Sequence, residues 1–150
     1  MASTVYLTNS FSRLAADGTL DLDTDTVKLA LLTNAYTLDQ TDQVFADLST
    51  HQVANGSGYT TGGIALAGKV FAAISATVNK FAADNVVFTN LTKTFRWAVL
   101  YSEKTANSLV NPLICIILLD NTAGGTDISV SAVDYSIQWG ANGIITWTRP

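Results

Sequence analysis

The side chains in this sequence that could do acid–base, nucleophilic or ligating chemistry are few and scattered. His51 is the only histidine and Cys115 the only cysteine. A multi-histidine metal site is therefore out of reach, and no disulfide can close within one chain. A Cys115–His51 nucleophile pair would have to be assembled by folding. Cys115 lies in Leu113-Ile114-Cys115-Ile116-Ile117-Leu118-Leu119, where a thiolate is disfavoured and the residue reads as a small buried hydrophobe. No G-x-S-x-G nucleophile elbow is present. Asp21, Asp23 and Asp25 invite a calcium reading. An EF-hand loop counted from Asp21 needs glycine at its sixth position and glutamate at its twelfth, and Thr26 and Leu32 stand there. The run reads instead as a turn whose carboxylates bond local amides.

The glycine-rich stretch Gly56-Ser57-Gly58-Tyr59-Thr60-Thr61-Gly62-Gly63 fails as a phosphate cradle. Ile64 and Ala65 replace the Lys and Ser/Thr of a P-loop, and Thr61 replaces the third glycine of a dinucleotide loop. It reads as a sharp structural turn, passing close to other backbone and anchored by Tyr59. Trp97, Trp139 and Trp147 could stack on sugars. Each alternates with its neighbours in a strand-like run, which favours core packing. The sequence thus offers no catalytic residue, no cofactor site and no metal site.

The elements around these residues are mainly strands. Val27–Thr33, Ile64–Phe71, Ile74–Phe81, Asn85–Thr89, Thr94–Tyr101, Leu113–Leu119, Val133–Trp139 and Ile144–Thr148 show strand patterning. In Thr94–Tyr101 the large side chains Phe95, Trp97, Val99 and Tyr101 share one face, with Arg96 opposite. Leu113–Leu119 is apolar on both faces, as in a central strand or one whose outer face a partner covers, and Pro112 marks its start. Asn142-Gly143 between two alternating runs predicts a hairpin. Ser10–Gly18 predicts a short helix capped by Ser10, with Phe11, Leu14 and Ala15 on one face. Asp42–Leu48 fits one or two helical turns within the long connection from Asn34 to Val53, a length typical of binding surfaces. The fold class is mainly β: an antiparallel β-sandwich, jelly-roll-like in one version, of about eight strands with one short N-terminal helix and long loops. Residues 1–150 form one domain, with residues 1–9 as an N-terminal arm that pairs with another element or another subunit.

Composition bounds the function. Charged residues are 13% of the 150-residue chain and the net charge is −4, about half the charge content of a typical domain. Such a surface is either rich in Thr, Ser and Asn or covered by other protein. The eight Lys and Arg are scattered, so nucleic acid is not an expected partner. No apolar run is long enough to span a membrane. The N-terminus does not read as a signal peptide, and synthesis in a reducing cytoplasm is expected.

Asp23–Leu32, then Asn34-Ala35-Tyr36-Thr37, then Gly56–Gly63, then Phe95–Tyr101 together resemble a family of small virion structural proteins of tailed bacteriophages. The likeness covers roughly residues 19–120 and carries no catalytic residue. It implies a non-enzymatic particle protein, first of all a capsid decoration (cement) protein at the capsid surface. Its implied partners are the major capsid protein and further copies of itself, with a homo-oligomer such as a trimer following closed symmetry. The alternative it leaves open is a tail or fibre-associated protein touching host surface glycans; a carbohydrate-binding module unconnected to virions is a third reading. Interface candidates are Val5, Tyr6 and Leu7 of the arm, Tyr59 of the glycine loop, and Ile114 and Ile116 of the apolar strand.

Overall fold

The most apolar segments of the chain pair with one another. In the computed structural model, which describes residues 3–148, β2 (Val27–Leu32), β7 (Trp97–Ser102) and β10 (Leu113–Leu118) lie side by side. β1 (Thr4–Leu7) and β3 (Ile64–Ala65) complete a five-stranded antiparallel sheet in the order β1-β10-β7-β2-β3. β7 and β10 are buried at every position, as strands apolar on both faces must be. One face carries Val27, Leu29, Leu31, Ala98, Leu100 and Ile117 into the larger core. The other carries Leu32, Trp97, Val99, Tyr101, Ile116 and Leu118 into a second core.

A second layer covers the larger core. It consists of the two-stranded ribbon of β6 (Val86–Phe95) with β11 (Ile128–Ile137), and a three-stranded sheet in the order β12-β5-β4, formed by β4 (Val70–Ala73), β5 (Val78–Ala82) and β12 (Ile145–Thr148). Phe88, Leu91, Phe95, Phe81 and Ile145 descend from this layer onto the main sheet. α1 (Asn9–Ala16) closes one end with Phe11 and Leu14. The second core is covered by the long connection after β2. There Tyr36, Leu38 and α2 (Phe45–Leu48) pack on the sheet, and Phe45 stacks on Tyr101 with ring centroids 4.2 Å apart. The chain is therefore a mainly β antiparallel sandwich with two short helices. Its strands number twelve among the described residues, the short pairs β8 (Thr105–Ala106) and β9 (Leu109–Val110) included.

The glycine loop does what its composition implies. A Cβ on Gly63 would lie 1.9 Å from the Leu29 carbonyl oxygen, and one on Gly58 would lie 2.5 Å from that of Asn90. The loop thus lies backbone to backbone on β2 and β6, at positive φ in both places. Tyr59 points inward and its hydroxyl accepts hydrogen bonds from the Leu31 N–H (3.1 Å) and Gln52 Nε2 (2.9 Å). The Val53 N–H donates to the Leu31 carbonyl. Tyr59 and Val53 therefore stand in for a strand neighbour where β3 has already ended.

Several expected elements differ. Thr8, not Ser10, caps α1, accepting from the Phe11 N–H, while Ser10 is buried and donates to the Leu113 carbonyl; Ala15 is exposed. The run from Ile64 to Phe71 is not one strand: β3 ends at Ala65 and β4 begins at Val70 in another sheet. Ile74 to Thr77 form the turn before β5, closed by the Ile74 N–H to the Val78 carbonyl. The Thr94–Tyr101 run is broken at Arg96, whose backbone bonds to both Leu32 and Leu119 as the chain passes between layers. Phe95 consequently enters the larger core and Trp97 the second one. A register shift between Leu113 and Cys115 places Ile114 and Cys115 both in the larger core, with Ile116 on the opposite face. The Asn142-Gly143 turn forms, with the Gly143 N–H on the Gly140 carbonyl, but β11 pairs with β6 and β12 with β5. The sandwich separates the two arms of the predicted hairpin.

Candidate functional site

Of the six interface candidates, three have no free surface. Tyr59, Ile114 and Ile116 are covered by the chain's own side chains, because the glycine loop folds inward and β10 is sandwiched between two cores. Tyr6 is half-buried against Trp97, with ring centroids 6.4 Å apart. Val5 and Leu7 remain 42% and 49% exposed. Residues 4–7 pair with β10 of the same chain, so the expected arm is an edge strand; Met1 and Ala2 lie outside the described residues.

β1 is the terminal strand of the main sheet, and among the described residues its outer rim of backbone N–H and C=O groups faces no other strand. Beside it is a notch of about 370 Å³ lined by Val5, Ile117, Leu119, Tyr135, Ile137 and Trp139. β4 is likewise terminal in its sheet, with Val70, Phe71 and the adjoining Ile74 exposed. Neither Thr4-Val5-Tyr6-Leu7 nor Val70-Phe71-Ala72-Ala73 contains a charge or a proline. Edge strands are ordinarily guarded by such residues.

A second opening lies between the three-stranded sheet and the loop from α1 to β2. This groove holds about 590 Å³. Phe11 lies at its buried side, Phe71 and Trp147 form an aromatic wall, and Asp21, Asp23 and Asn79 supply polar groups. Trp147 lies 5.1 Å from Phe71 and 6.1 Å from Phe11 between ring centroids.

Several titratable residues are engaged within the fold. Cys115 is fully buried and its thiol is pushed up to about 12 by loss of solvent. His51 packs edge-on to Tyr36 with centroids 5.7 Å apart. The Tyr36 hydroxyl donates to Asp42 Oδ2 (2.8 Å) and accepts from the Asp39 N–H. Burial raises the Asp42 carboxyl above its ordinary range, with the Tyr36 hydrogen bond opposing the shift. Tyr101 is pushed up to about 12, first by burial and then by the charge of Glu103. In the aspartate turn, Asp21 Oδ1 accepts from the Asp23 and Thr24 N–H groups. Lys104 Nζ bridges both oxygens of Asp25, and Lys69 Nζ donates to the Asp25 carbonyl. Ammonium groups thus occupy the centre of that turn. Among the described residues, no group of three His, Cys, Asp or Glu side chains is placed to hold a metal ion, and no helix is long and apolar enough to cross a membrane.

Comparison of the chain with protein-family models, with curated proteins and with solved structures finds no match.

Proposed function

We propose that this chain is a non-enzymatic virion structural protein of a tailed bacteriophage, a capsid decoration protein that binds the shell and stabilises it. Its partners are the major capsid protein and further copies of itself, and it is made in the host cytoplasm before joining the capsid surface. The observation that carries the reading is the uncharged, unguarded edge of β1, with Val5 and Leu7 exposed beside a notch of mixed lining. Edge backbone gains hydrogen bonds when an extended segment is laid against it, and alternating apolar side chains gain burial. Both gains suit a protein whose work is lasting contact. The resemblance carried by residues 19–120 supplies the identity of the partner.

Particles prepared without this chain test the proposal. They are expected to lose resistance to heat and osmotic shock and to regain it when purified protein is added back. Undiminished resistance without the chain refutes a stabilising role. The second reading, a tail or fibre-associated protein touching host glycans, is favoured by the aromatic groove at Trp147. Immunogold label over the whole head supports decoration; label confined to the tail supports the second reading.

A further inference from the structure

The groove between α1 and the three-stranded sheet has a composition that neither core packing nor subunit contact requires. Phe71 is 52% exposed, and its ring meets that of Trp147 at 52°, so the two form a bent aromatic wall open to solvent. The polar groups around this wall are unspent. Among the described residues, the Asn79 side-chain amide, the Asp23 carboxylate and the Trp147 indole N–H have no hydrogen-bond partner. Asn79 sits opposite Trp147 in the β12–β5 register, which places an amide next to the indole on the same sheet face. The volume, about 590 Å³, is that of a small-ligand site.

We infer that this groove binds a neutral saccharide, one pyranose ring stacking on the Phe71–Trp147 wall while its hydroxyls bond to Asn79 and Asp23. A pyranose presents a C–H face to an aromatic ring and a rim of hydroxyls that both donate and accept. An aromatic wall with an amide beside it and carboxylates on the facing loop answers both features. Asp21 and Asp23 disfavour anionic sugars, because the nearby ammonium groups of Lys69 and Lys104 are engaged on Asp25 and do not line the groove. Hydrogen bonding from Thr24 and the Asp23 amide holds the Asp21 carboxyl below its ordinary range, so the rim stays negative at neutral pH. The inference rests on the groove alone and does not depend on the capsid reading.

Cellotriose, maltotriose and chitotriose, with sialyllactose as the anionic comparison, test it on the purified full chain by calorimetry and by the Trp147 indole N–H resonance. At least one neutral trisaccharide is expected to bind with Kd of about 1 mM or tighter and to move that resonance. Phe71→Ala and Asn79→Ala, both on side chains outside the fully buried core, are each expected to weaken binding about tenfold or more while keeping the unfolding temperature. Sialyllactose is expected to bind at least about tenfold more weakly. Absence of binding by all three neutral sugars at about 10 mM overturns the inference. So does binding that survives both substitutions, and so does a Phe71→Ala variant that loses shell attachment in a protein that binds no sugar, which assigns the groove to a protein contact.

Discussion

Replacing Tyr59 by Phe removes one oxygen and leaves the ring in place against Phe88, 5.8 Å away between centroids. That oxygen accepts from the buried Leu31 N–H and from Gln52 Nε2. Gln52 is half-exposed and can turn to water. The Leu31 N–H cannot, because Leu31 is fully buried and β3 ends short of it. An unpaired buried donor costs about 1–3 kcal/mol. In a domain of this size each kcal/mol lowers the melting temperature by roughly 2–4 °C, so Tyr59→Phe should melt about 4–8 °C lower at the middle of the range. Tyr59→Ala adds a cavity and should cost about 3–5 kcal/mol. Thermal and urea unfolding read the loss, and native-state hydrogen exchange reads its place: the Leu31 amide should exchange faster in Tyr59→Phe than in the parent. A melting temperature lowered by less than about 1 °C, with the Leu31 amide equally protected, would refute the claim that this hydroxyl completes the sheet.

Gly63→Ala and Gly18→Ala should separate steric from conformational cost. Both sites have positive φ, but a Cβ at Gly18 meets nothing within 4 Å whereas one at Gly63 meets the Leu29 carbonyl oxygen at 1.9 Å. Gly18→Ala should lose roughly 1–2 kcal/mol and Gly63→Ala more than about 3 kcal/mol or all soluble expression, as read by denaturant titration. The Cys115 thiol and the Tyr101 phenol have folded pKa values raised to about 12. The unfolded chain therefore ionises first, and stability, complete below pH of about 8.5 for the thiol, should fall steadily towards pH 12. Urea midpoints between about pH 8 and 11 should show the fall, and Cys115→Ala should reduce its slope. Val5→Lys and Leu7→Lys place charge on the exposed edge of β1. Each should leave folding stability within about 0.5 kcal/mol and reduce retention on particles in a cosedimentation assay.

The sheet at the centre of the fold was readable because its signal is dense. Leu113–Leu119 is apolar without interruption, and no strand with one wet face can be. The glycine loop was equally plain, since four glycines within eight residues have few uses besides close backbone approach. Period-2 patterning could not reveal where a strand changes sheets. Phe95 and Trp97 look like neighbours on one face until Arg96 turns the chain from one layer to the other. Ile114 and Ile116 look alike until a bulge shifts one of them. The Asn142-Gly143 turn carries the chemistry of a hairpin, but long-range pairing with β6 and β5 draws its arms apart. Of the groove, the sequence offered only Trp147 as a ring able to stack on a sugar. Asp21, the Phe71–Asn79 hairpin and Trp147 come from three separate stretches of chain, and Trp147 joins the space only because β12 returns to lie beside β5.

The pairing of Thr4 with Leu118 and of Leu7 with Cys115 sets a timetable. β1 stays unpaired until β10, far later in the chain, has been made, and closing so large a loop is slow compared with local turns. Until then β10 has one rim bare and α1 has no floor, for Thr8 and Ser10 anchor that helix to the carbonyls of Leu113 and Ile114. The edge strand that we assign to shell contact is thus completed only once β10 is in place. A chain that has not yet made β10 lacks the paired strand on which the proposed contact is built.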